Sequence, residues 1–241
     1  VSVLLVPYHL DELLPDLDVP AQPDRVLTVD LPDGPRWHRI AHLAEAVAGS
    51  VAGETGPVVL TGDCPAALGV LAGLQRHADP AVVWFDAHGD LHTPASSTSG
   101  YLGGMPLRMV LGEGDPSIAA RTGLRPVPPE RVVLVDGRDL DPAELDFLAT
   151  SAVRRVPVDA VPVPHGPFYV HVDLDVVDPT GLPGLRYPAA GGPDLSTVRD
   201  ALLGLLGTGR VAGLSLGCTW YSGHGAAEAA RPLATAVLGA R

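Results

Sequence analysis

Short, continuously apolar runs alternate along this chain with helix-like segments. Runs expected to be strands fall at 1–6, 25–30, 57–62, 81–86, 131–136, 152–158, 168–173 and 211–216. Many of them are unbroken Val/Leu/Ile/Phe stretches, the pattern of strands buried on both faces. Helices are expected over 37–50, 65–77, 104–111, 142–150, 194–207 and 225–238. Pro65 suits a first helical turn, and Asp141-Pro142 and Asp194 resemble helix starts. The alternation predicts an α/β fold, a three-layer α/β/α sandwich with a mostly parallel sheet of about eight strands joined by right-handed crossovers. With no internal repeat and no linker, residues 1–241 are expected to form one domain.

In such sheets the site lies beyond the carboxyl ends of the strands. Two stretches rich in Gly, Ser, Thr and Pro, 92–104 and 178–194, follow such ends and are expected to be active-site loops. The preceding residues are Asp86-Ala87-His88-Gly89-Asp90, after the run 81–85, and Asp173-Leu174-Asp175, after the run 168–172. Residues 86, 88 and 90 alternate, so an extended strand end would aim all three the same way. Carboxylates packed this densely at buried strand ends repel one another unless a cation offsets them. Oxygen ligands with one or two nitrogens suit Mn²⁺ better than a sulfur-rich zinc site does. Two such strand ends can bridge two divalent ions and make hydroxide available near neutral pH.

Composition narrows the alternatives. The net charge of −12 argues against a nucleic-acid partner. No apolar run is long enough to span a membrane. The first residues read as a strand and not as a signal peptide. All 16 basic residues are arginine, which excludes Schiff-base chemistry and a phosphate-binding lysine. The Ala, Gly and Pro richness suits a bacterial genome of high GC content. Two cysteines, Cys64 and Cys218, suit a cytoplasmic protein. The run 11–18 is expected to be a solvated acidic segment.

Taken together, Gly62-Asp63-Cys64, Asp86-Ala87-His88-Gly89-Asp90 and Asp173-Leu174-Asp175-Val176-Val177-Asp178-Pro179 resemble, in order, the strand-end motifs of the arginase/agmatinase (ureohydrolase) family. The stretch from Leu91 to Gly100 resembles that family's substrate loop, and Gly137-Arg138-Asp139-Leu140-Asp141-Pro142 its Arg-Asp-x-Asp segment. The resemblance implies an arginase-like fold and a manganese-dependent hydrolase, with one or two Mn²⁺ per chain. A metal-bridging hydroxide would cleave a C–N bond of a small guanidino or amidino substrate. It implies metal ligands at Cys64, Asp86, His88, Asp90, Asp173 and Asp175, with Asp86 and Asp173 shared and Asp90 also catalytic. Ser99 would face a substrate carboxylate and Asp141 an amino group. Family members are often trimers or hexamers, so a homo-oligomer is compatible with it.

Three positions depart from the pattern. Cys64 stands in place of a metal-binding histidine, and a soft thiol ligand predicts a weakly occupied site. Gly103 stands in place of a histidine proposed as a proton shuttle. Cys218 falls where arginases carry a glutamate that grips the guanidinium, and it is expected to touch substrate together with His92 and Tyr101. His171 is read as structural, pointing away from the Asp173 cluster. Cys64 and the loop 100–105 resemble the branch that hydrolyses Nω-hydroxy-L-arginine in D-cycloserine biosynthesis, which implies secondary metabolism. Two alternatives stay open: an altered or inactive member binding a guanidino metabolite with one metal or none, and cysteine-based amidine chemistry at Cys64.

Overall fold

The apolar runs pair into one sheet, in a computed structural model that describes residues 2–240. Val1, the head of the first expected strand, lies outside the described residues. The chain runs β1 (Val3–Val6), β2 (Tyr8–His9), β3 (Glu12–Leu13), β4 (Arg25–Val26), α1 (Arg36–Val51), β5 (Val58–Thr61), α2 (Ala66–Leu74) and β6 (Ala81–Asp86). It continues through α3 (Pro106–Val110), α4 (Ser117–Thr122), β7 (Val132–Asp136), α5 (Pro142–Thr150), β8 (Arg154–Val156), β9 (Phe168–Asp173), α6 (Leu195–Leu206), β10 (Val211–Gly217) and α7 (Ala226–Gly239). Eight strands form the sheet in the order β4-β1-β5-β10-β9-β6-β7-β8. Every pairing within it is parallel.

Neighbouring residues on one strand serve opposite faces, which is why the runs carry no polar alternation. Val83 and Phe85 of β6 join the core under α6 and α7, whereas Val82 and Trp84 join the core under α1 and α2. Phe147 and Leu148 of α5 pack on that second core as well. The result is the expected three-layer α/β/α sandwich. All the parallel strands end on one edge, so Asp86, Asp173 and the residues after Thr61 are brought together there.

Differences from the sequence expectations have local causes. The expected strands 25–30 and 152–158 shrink to β4 and β8, the two sheet edges, each paired on one side only. The β2–β3 hairpin and α4 are additional. The acidic run 11–18 is anchored and not simply solvated. Asp11 pairs with Arg36 at 3.1 Å and Arg39 at 2.7 Å on α1. Asp18 accepts from Trp220 Nε1 at 2.9 Å and Gly223 N at 3.0 Å.

Candidate metal centre

Sequence alternation alone does not aim Asp86, His88 and Asp90 together. The strand ends at Asp86, and the chain turns through Asp90, whose φ of 53° lies in the left-handed region. Asp86 Oδ1 accepts His88 N at 2.8 Å, and Asp86 Oδ2 accepts Trp84 Nε1 at 3.2 Å. The turn is clamped from outside by the buried Glu144, which accepts Leu91 N and Asp141 N, both at 3.0 Å. Glu144 sits so close that a Cβ on Gly89 would come within 2.4 Å of its Oε1, which makes glycine a requirement there. Asp141 and Glu144 form the capping box of α5, so one helix start also locks the metal-type loop.

The second strand end is tied in the same manner. Asp173 Oδ1 accepts Asp175 N at 3.0 Å, and Thr219 Oγ1 donates to Asp173 Oδ2 at 2.7 Å. Cys64, after β5, brings its Sγ to 3.0 Å from Asp173 Oδ2. Two groups of ligand atoms result, Cys64/Asp86/Asp173 and Asp86/His88/Asp175, each with its atoms within 4.8 Å of one another and Asp86 common to both. Asp90 lies in the same cleft, outside both groups, and its Oδ2 is buried with no hydrogen-bond partner among the described residues.

Electrostatics say what this arrangement asks for. Burial and the charges of Asp86 and Asp173 push the Asp90 carboxyl well up. Burial and the charges of Asp175 and Asp86 do the same to Asp173. Asp175 is pushed up to about 6 by burial and the Asp86 charge. Burial also works against ionised Asp86, but hydrogen bonds and charge from His88 outweigh it and hold that carboxyl low. His88 is the cation paired directly with these carboxylates: burial opposes its charge, yet Asp175 and Asp86 drive it up to about 12. Burial and four surrounding carboxylates raise the Cys64 thiol far above its ordinary value. A thiol held this way favours its protonated form, which argues against a free-thiolate nucleophile while no cation is bound. Carboxylates, an imidazole and an orphaned buried oxygen around one space fit a divalent cation.

The cleft beside these groups is about 730 Å³ with its open mouth included. His92, Ser99, Tyr101 and Asp141 all line it. His92 Nε2 lies 3.0 Å from Asp141 Oδ2. Cys218 does not line it: the side chain is fully buried in the core under α6 and α7, its Sγ 3.8 Å from the Leu216 carbonyl. The expected substrate contact at Cys218 is therefore corrected: just past β10 the chain turns residue 218 into the core, and the next residue, Thr219, lines the cleft. His171 is corrected too: its Nε2 reaches Cys64 Sγ at 3.4 Å. Both cysteines are free.

Several cleft residues had no role in the sequence reading, although Asp63 and Asp139 stood inside its motifs. Tyr187, Asp63, Asp139, Glu144 and Thr219 line the cleft. Tyr187 sits 5.0 Å from Tyr101, ring to ring, and Tyr101 Oη donates to Asp63 Oδ2 at 3.0 Å. For Glu144 the available signal was the Asp141-x-x-Glu144 spacing of a capping box. Nothing local marks Tyr187, which arrives from the long 178–194 loop.

The sequence model of the Arginase family matches residues 9–217. The arginase of Bacillus subtilis (strain 168) is 36% identical over 168 residues, 62% of this chain and 56% of that protein. The N(omega)-hydroxy-L-arginine amidinohydrolase of Streptomyces lavendulae is 36% identical over 149 residues, 58% of this chain and 52% of that protein. The aligned part thus spans about half the length of these curated relatives. The crystal structure of the Bacillus subtilis arginase superimposes with a TM-score of 0.82 at 25% identity, covering 99% of both chains. With the family model matched over residues 9–217 and the fold superimposed over 99% of its length, this chain belongs to the arginase family.

Proposed function

We propose that this chain is a single catalytic unit that hydrolyses a C–N bond of a small guanidino or amidino compound with Mn²⁺ as its cofactor. The observation that carries the reading is the pair of ligand groups sharing Asp86, with the unpartnered Asp90 Oδ2 in the same cleft. Cys64, Asp86 and Asp173 would hold one cation with help from Asp90, and Asp86, His88, Asp173 and Asp175 the other. Bound there, the cations supply Lewis acidity and a water of lowered pKa.

The chain's own groups do the rest. Asp90 Oδ2 accepts the proton of the attacking water and passes it to the leaving nitrogen, work worth about 10²–10⁴-fold when a side chain is positioned for it. Asp141, oriented by His92, faces an amino group, and Ser99 faces a carboxylate. Tyr101 and Tyr187 wall the cleft beside Asp63 and offer aromatic faces to a planar cation. The likeness to the Streptomyces lavendulae protein supports an Nω-hydroxyarginine-type substrate; the place proposed for the reaction is secondary metabolism. Free, buried cysteines suit a reducing cytoplasm, and the net charge of −12 suits neither nucleic acid nor an anionic membrane surface. No described helix is long and apolar enough to cross a membrane.

A second reading is favoured by β10, which brings no acidic side chain to the cleft. In that reading the protein binds a guanidino metabolite without cleaving it. Turnover of arginine, Nω-hydroxyarginine and agmatine by the Mn²⁺-loaded protein, followed as urea or hydroxyurea released, decides between them. Release that vanishes in Asp90→Asn supports hydrolysis. Metal-insensitive binding with no product on any substrate overturns it.

A further inference from the structure

Beneath the candidate centre lies a line of buried polar side chains that the proposed reaction does not use. Tyr169 Oη and Ser215 Oγ form a short hydrogen bond. Ser215 Oγ lies 2.7 Å from His171 Nδ1, and His171 Nε2 lies 3.4 Å from Cys64 Sγ. Tyr169, His171 and Ser215 are fully buried, and Trp84 packs on the His171 ring with centroids 4.0 Å apart. Tyr169 and His171 sit on the same side of β9, and Ser215 faces them from the paired position of β10.

The bonding options close on one another. A neutral imidazole has one N–H and one lone pair. If Tyr169 donates to Ser215 and Ser215 donates to His171 Nδ1, the remaining proton must sit on Nε2, pointing at the Cys64 sulfur. The opposite direction would leave the Tyr169 hydroxyl proton without an acceptor, and a Ser215 oxygen accepting from both neighbours would leave the Ser215 proton without one; either is costly in this buried layer. A metal ligand whose back side is fixed by such a donor chain is held in one orientation, as ligating histidines are by their carboxylate partners.

We propose that His171, fixed by Ser215 and Tyr169, is a positioning residue that presents the Cys64 sulfur as a metal ligand, so that the Cys64/Asp86/Asp173 group favours a softer divalent ion than the Asp86/His88/Asp175 group. The inference rests on the reading of the cleft as a metal centre and not on any particular substrate. Carboxylate and imidazole ligands suit Mn²⁺, whereas sulfur moves preference toward softer ions.

The test is Co²⁺ titration of the metal-free full chain, read as the near-ultraviolet sulfur-to-cobalt charge-transfer band and as the Co²⁺-over-Mn²⁺ preference from competition. Wild type shows the band, and Cys64→Ser loses it. His171→Phe keeps the volume without the donor, and weakens Co²⁺ binding at the sulfur-bearing group by about 10–100-fold, the range for lost outer partners of metal ligands. His171→Gln, which returns an N–H near Nε2, restores most of it. Ser215→Ala, a smaller change that keeps the ring, also weakens Co²⁺ binding at the sulfur-bearing group and covers the case in which His171→Phe does not fold. An unchanged band and preference in folded His171→Phe or Ser215→Ala overturns the proposal, as does a wild-type complex with no sulfur band. The two readings fail separately. A sulfur band without turnover sinks the proposed reaction alone, and turnover without a sulfur band sinks this inference alone.

Discussion

The ring of Tyr101 occupies the space that a side chain on Gly103 would need: a Cβ there would lie 2.4 Å from the Tyr101 Cζ and Oη. The tyrosine and the glycine are one feature. Only without a side chain at 103 can Tyr101 lie flat over the 3₁₀ turn Leu102–Gly104 and reach Asp63. Gly103→Ala therefore displaces Tyr101, at a cost of about 0.5–1.5 kcal/mol for the lost hydrogen bond. In urea unfolding, the double variant Gly103→Ala/Tyr101→Phe should lose less than the sum of the single losses, and full additivity would show that the residues are independent.

Asp90 combines a left-handed backbone with a buried, unpartnered carboxyl oxygen. Asparagine adopts that conformation readily and removes the charge conflict with Asp86 and Asp173. Asp90→Asn should raise the thermal midpoint of the metal-free protein, by about 2–4 °C for each kcal/mol gained. Turnover by the Mn²⁺-loaded protein should fall by at least about 10²-fold. A lower midpoint, or retained turnover, contradicts the role given to Asp90.

The site also sets a pH dependence. Asp175 rises from 3.8 to about 6 on folding, so the folded chain holds a proton that the unfolded chain has released across that window. Stability from this group falls as pH climbs through it. His88 rises from 6.5 to about 12, so its contribution is complete below 6.5 and declines as pH rises toward 12. Both trends run the same way, and the raised carboxyls of Asp90 and Asp173 add to them; buried His171, lowered to about 4, opposes them only below 6.5 and is outnumbered. The metal-free protein should be more stable near pH 5 than near pH 8 in calorimetry with chelator. Mn²⁺ supplies the missing positive charge and should raise stability most at the higher pH, by RT ln(1 + [L]/Kd) for each site. A metal-free midpoint that rises from pH 5 to 8 would contradict the charge balance described.

Arg138 holds the loop that delivers Tyr187. Its guanidinium pairs with Asp136 and donates to the carbonyls of Val176 at 2.9 Å, Asp175 at 3.2 Å, Ala189 at 2.7 Å and Ala190 at 3.3 Å. Lysine cannot reproduce that planar fork. Arg138→Lys should cost about 1–3 kcal/mol, the range for buried acceptors left unpartnered. Hydrogen exchange across 177–193 should quicken while β6 and β9 stay protected. Unchanged exchange in the loop would mean that its own turns suffice to hold it.

The strand positions, the three layers and the metal-type residues of Asp86, His88, Asp173 and Asp175 could be read along the chain, because each is a local signal. Buried parallel strands are continuous apolar runs, and charges at their ends are conspicuous against them. Asp63 and Glu144 were less legible. One is a carboxylate whose partners, Leu10 and Tyr101, come from distant segments, and the other is a helix-capping residue whose clamp on Leu91 exists only once α5 docks.

What the sequence determined by itself is the sheet, its order of motifs and the chemical class of the ligands, since periodicity and residue type act over a few neighbours. Tertiary structure decided which face each strand-end residue took. Cys218 turned into the core, Thr219 into the cleft, and His171 toward Cys64, although all three stand beside motif residues. It decided, too, that Asp86, His88 and Asp90 converge through a left-handed turn and not through strand alternation. The direction of a side chain at a strand end depends on what packs behind it, and here that came from Glu144 of α5 and Ser215 of β10, far away along the chain.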